Sequence, residues 1–183
     1  TIAFIIVAAA LSACGQAQQS ATRGDCNFES AREISWPEGD LQINAVARST
    51  GATCAEAEAT LELRAGDGRV LHTTSASYYA LAFGGDTPVE PPAVAREEVE
   101  RFLAAWADLR PLRASALPAW PAGAAQPGEG GALPYRARAA RADYERFRAA
   151  NLPAMCVAVQ VDGVECVVLD PETGAHVMLG YAE

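Results

Sequence analysis

The 183-residue sequence contains no lysine, only two histidines and no Cys-x-x-Cys pair. Each absence removes a class of function. All 14 basic residues are arginines, set against 23 acidic residues for a net charge of −9. The basic footprint that general nucleic-acid binding requires is therefore missing. Without Cys-x-x-Cys, zinc-ribbon and thioredoxin-like readings lose their main pattern. With His72 and His176 as the only histidines, no Cys/His metal centre is expected, and no cofactor. Catalytic signatures are equally scarce: Gly-x-Ser-x-Gly, Ser-x-x-Lys and His-Glu-x-x-His do not occur. His72 lies between Leu71 and Thr73 in a strand-like stretch whose alternation points it to solvent, and His176 falls in the last strand near a turn. Gly66-Asp67-Gly68 and Gly128-Glu129-Gly130-Gly131 read as turn and loop glycines, and Glu97-Glu98 as an exposed helical pair. No apolar run reaches the roughly 20 residues that span a bilayer.

What is present begins at the N-terminus. Residues 1–13 carry no charge, residues 2–11 are almost continuously apolar, and the run stops at Cys14. Its length suits the hydrophobic region of a signal peptide followed by small residues. Leu11-Ser12-Ala13-Cys14 resembles the lipobox of bacterial lipoproteins. That resemblance implies removal of residues 1–13, lipid attachment at Cys14, and a few basic residues upstream of Thr1. Two or three acyl chains, at about 0.8 kcal/mol per buried CH₂, give stable anchoring where one does not. Gly15, rather than Asp, follows the cysteine. By the same resemblance this implies the outer membrane, facing the periplasm. Residues 14–25 are small and polar and read as a flexible tether.

Residues 26–183 then form one domain of ordinary size. Its four cysteines, Cys26, Cys54, Cys156 and Cys166, suggest two disulfides in an exported chain. The stretch 155–170 signals a hairpin turning on Asp162-Gly163. In a two-residue type I′ register Val159 faces Cys166, and Cys156 falls on the opposite face. That geometry favours bridges from Cys26 and Cys54 to the hairpin. Neighbour pairing, Cys26–Cys54 with Cys156–Cys166, is the competing arrangement.

Periodicity orders the rest. Residues 40–49 alternate as a half-buried strand; 59–83 form a hairpin about Gly66-Asp67-Gly68, with its return strand bending near Ser75 and running on through residues 78–83. Pro91-Pro92 opens a helix whose apolar face is Val99, Phe102, Leu103, Trp106 and Leu109, with Glu97 and Arg101 paired outside. Residues 111–134 hold five prolines and form a long irregular loop around Trp120. Trp120 is either a pin that docks the loop or a partner contact. A second helix is expected over 135–150, with a stripe of Ala137, Ala140, Tyr144 and Phe147 and an arginine-rich remainder. Arg138, Arg141 and Arg148 are candidate contacts to anionic lipid or a partner, against the plainer reading of a solvated helix face paired with the protein's own carboxylates. A last strand follows Pro171-Glu172-Thr173-Gly174.

Strands, two helices and strands again predict an α+β fold, an antiparallel sheet or sheets covered on one face by helices. The expected function is that of a lipid-anchored, non-enzymatic binding or assembly module of the bacterial envelope. Its partners are then the membrane, through the lipid, and an envelope protein. The alternatives are an inhibitor of an envelope hydrolase such as lysozyme, and a small-ligand carrier or enzyme with a concave pocket.

Overall fold

The structure, a computed structural model, describes residues 25–37, 41–131, 135–170 and 173–181. The signal segment, Cys14 and almost all of the tether lie outside the described residues. The fold is α+β, with two antiparallel sheets. The first is a meander of β1 (Phe28–Ser35), β2 (Gln42–Thr50), β3 (Glu58–Ala65) and β4 (Val70–Ser77). Helix α1 (Tyr78–Ala82) and helix α2 (Arg96–Ala107) follow. The second sheet uses β5 (Leu112–Arg113), β6 (Arg136–Ala137), β7 (Pro153–Gln160), β8 (Gly163–Asp170) and β9 (Gly174–Tyr181), in the order β5-β7-β8-β9-β6. Helix α3 (Arg141–Ala149) lies between β6 and β7 in sequence.

The alternation read in β2 and β3 is present. Ile43, Ala45, Ala47, Leu61 and Leu63 are fully buried on one face, while Arg48, Glu62 and Arg64 bond one another on the other. On α2, Val99, Leu103 and Trp106 are buried at the expected helical spacing. The helix starts at Arg96, four residues after Pro92, and Arg101 Nε donates to the Glu97 carbonyl rather than to its carboxylate.

The second sheet is buried on both faces. Met155, Val157, Val167 and Leu169 join the core shared with the first sheet and α2. Ala154, Cys166, Val168 and Leu179 join a second core under α3. Helices α1 and α2 therefore serve one core and α3 the other. Trp36, 2% exposed, links the two halves by donating from Nε1 to the Leu112 carbonyl at 2.7 Å.

Burial on both faces changes the hairpin from the expected register. The turn is Val161-Asp162, between Gln160 and Gly163, and a bulge at Val159 restores pairing at Ala158–Val164. Cys156 then stands directly opposite Cys166. The disulfides are Cys26–Cys54 and Cys156–Cys166, not bridges between the N-terminal cysteines and the hairpin. The type I′ register assumed one wet and one dry face. A strand with no wet face carries no such signal.

Three other expectations are corrected. Residues 78–82 leave the strand and form α1, because Ser77 caps them, its Oγ accepting from Ala80 N at 3.1 Å. Helix α3 begins at Arg141 rather than 135. Arg136 and Ala137 pair with Gly180 and Leu179 as an edge strand, a tertiary contact that overrides helical propensity. Finally, the loop after Pro111 contains β5 and a 3₁₀ turn at Ala114–Ala116.

Candidate functional site

The residues singled out in the sequence do not converge on one site. Trp120 is half-buried, edge-on to Tyr144 with ring centroids 5.5 Å apart, and its Nε1 donates to the Ala124 carbonyl. Arg141 stacks over the Trp120 ring at 5.4 Å and also pairs with Glu145 at 2.8 Å. Arg148 donates to the carbonyls of Leu117 and Ser115. Tyr144, fully buried, donates to the Pro118 carbonyl at 2.8 Å, and burial pushes its hydroxyl up to about 12. These contacts dock the segment after Pro111 onto α3. Arg138 stands apart, exposed beside the second sheet's edge.

His72 is also placed differently from its expected solvent position. A register shift between Leu63 and Arg64 pairs His72 with Leu63, so its ring points inward. Its side chain is 12% exposed, and Nε2 is buried without a hydrogen bond, 3.7 Å from a Glu165 carboxylate oxygen. Desolvation lowers its pKa, only partly opposed by the Glu165 charge. His176 accepts or donates one hydrogen bond with Thr173 Oγ1 at 2.6 Å and stacks on Phe147. Among the described residues no three His, Cys, Asp or Glu side chains group as a metal site, and no helix is long and apolar enough to cross a membrane.

The surface that draws attention is an apolar tip where α1 meets the β7–β8 turn. Phe83 closes α1, its N–H bonded to the Tyr79 carbonyl, yet its side chain is 53% exposed. Its ring is held by Tyr78 at 6.1 Å and Tyr79 at 5.1 Å. Tyr78 is in turn buried edge-on against Phe102. Val161, 49% exposed, donates its N–H to the Ala80 carbonyl. A Cβ at Gly84 would lie 2.7 Å from Val161 Cγ1, so the turn is pressed against the glycine backbone. Gly84 and Gly85 take φ values of 80° and 72°, which turn the chain away and leave Phe83 uncovered. The following segment carries Val89, 99% exposed, between Pro88 and Pro91.

Reading 78–83 as strand hid this tip, because a strand would have placed Phe83 by simple alternation. The legible signals were Ser77, a helix-capping residue, and the Gly84-Gly85 pair. No family model, curated protein or solved structure matches the chain.

Proposed function

We propose that this chain is a lipid-anchored protein of the bacterial envelope, held through Cys14 in the outer membrane and facing the periplasm, whose domain binds another envelope protein. The observation that carries the binding role is the tip formed by Phe83 and Val161. Two large apolar side chains stand half in water on backbone held by buried aromatics and hydrogen bonds. A rigid exposed aromatic loses little conformational entropy on binding, and such anchors dominate protein interfaces. Two disulfides suit an oxidising compartment, and the Leu11–Cys14 lipobox supplies the anchor. Anchor and partner confined to one membrane raise their effective concentration.

The test is a photo-crosslinking amino acid placed at position 83 in cells. A protein adduct is expected there, lost when Val161 becomes Asp, and absent from position 58, an exposed residue at the start of β3. Equal labelling from both positions, or none from position 83, overturns the docking role. For the anchor, Cys14→Ala is expected to release the chain from membranes and abolish incorporation of labelled palmitate. Retention with label overturns it.

Val89, fully exposed on its proline-flanked loop, favours a second reading in which the loop enters the cleft of an envelope hydrolase such as lysozyme as an inhibitor. Val89→Asp then abolishes inhibition while leaving the adduct at position 83 intact.

A further inference from the structure

The second sheet carries a row of three residues in register: Glu165 on β8 pairs with Gly180 on β9, which pairs with Arg136 on β6. Directly paired residues point to the same face, and each strand step is about 4.8 Å. The α-carbons of an acid and a base thus stand about 10 Å apart, and the residue paired between them, Gly180, contributes no side chain. Gly180 is buried, and a Cβ there would lie 3.3 Å from the Val164 carbonyl oxygen and 3.7 Å from Arg138 Nε, so Arg138 reaches over the gap. Together with Gln160, these residues line a cleft of about 350 Å³.

The charges in this cleft are not used internally. Among the described residues, neither the Arg136 nor the Arg138 guanidinium makes an ion pair or hydrogen bond. The Glu165 carboxylate receives no hydrogen bond there, its nearest partner being His72 Nε2 at 3.7 Å. The Glu165 side chain is 24% exposed, enough to meet a ligand and buried enough to hold a charge worth pairing. A purely anionic ligand meets Glu165, and a purely cationic one meets two guanidiniums. A molecule with both charges a few ångströms apart satisfies all three.

We propose that this cleft binds a small zwitterion, an α-amino acid or short peptide. Its ammonium sits on Glu165 and its carboxylate on Arg136 and on Arg138, whose side chain lies over Gly180. The bidentate fork of arginine suits a carboxylate, and the missing side chain at Gly180 leaves room for Arg138 to lie across the sheet towards Glu165. Phe83 is not among the residues that line this cleft, so the inference stands apart from the docking role.

Calorimetric titration of the whole chain with alanine and dialanine, up to about 10 mM, tests this. Saturable binding of at least one is expected, and the tighter of the two identifies free amino acid or peptide as the class. Blocking either charge, as N-acetylalanine or alanine amide, is expected to weaken binding by about tenfold or more. Glu165→Gln and the exposed Arg136→Gln should each do the same, with far-UV dichroism unchanged. Phe83→Ser should leave binding intact while abolishing protein docking. No saturable heat with any zwitterion, equal binding of the blocked analogues, or indifference to Arg136→Gln overturns the assignment.

Discussion

Burial disfavours the charged form of the His72 imidazole, and the cost of charging it appears as a pH dependence of stability. Its folded pKa lies below the ordinary 6.5, so between the two values the unfolded chain binds more protons. Stability therefore rises with pH through that window and is lost on acidification, starting near 6.5. The Glu165 carboxylate is the charged group acting on it, and only partly offsets desolvation. Urea midpoints at pH 5.5 and 7.5 should differ less for His72→Gln than for the parent chain; an unchanged difference would place the titrating group elsewhere. Phe83 behaves in the opposite manner. Being half exposed, Phe83→Ser should shift Tm little, whereas its loss from an interface should cost about 2 kcal/mol of binding or more. A large fall in Tm would show that the ring belongs to the fold.

At the level of elements, the segment from Pro111 to Gly131 is held by α3 rather than by its own regular structure. Trp120, Tyr144, Arg141 and Arg148 all bind across that boundary. Trp120→Ala should cost about 2 kcal/mol and open residues 111–131 to limited proteolysis, with cleavage mapped by mass spectrometry. Tyr144 adds an alkaline limit. Its folded pKa of about 12 lies above the usual 10, so the folded state holds the proton longer and stability falls as pH rises past 10. Tyr144→Phe should flatten that decline; Arg148 and Tyr135 are the neighbouring groups whose charges act on it. The elements themselves were unequally legible. β2, the β3–β4 turn and the face of α2 follow one-sided periodicity. α1 carried a local signal in its cap, Ser77, which the strand-like alternation masked, whereas β6 depended on a partner strand some 40 residues later and could not be read from a local window.

Across the whole molecule, each disulfide closes a loop in a different sheet. Cys26–Cys54 spans 28 residues and Cys156–Cys166 spans 10. In the chain-entropy model these contribute about 3.6 and about 2.7 kcal/mol. Replacing the first pair by serines should thus lower the unfolding free energy more than replacing the second, as measured by urea titration. The reverse order would mean that packing around Cys166, in the core under α3, outweighs loop closure. Reduction of both should leave a chain that is marginal at 37 °C.

The sequence by itself determined the apolar run ending at Cys14, the α+β order of elements, four cysteines for two bridges, and the buried faces of β2, β3 and α2. These are local patterns in which one side of an element meets water and the other does not. Tertiary structure decided which cysteines pair, which way His72 faces, that residues 136–137 extend a sheet, and that Glu165 and Arg136 share a cleft. Those outcomes depend on bulges and on strands buried on both faces, where alternation no longer distinguishes one register from the next.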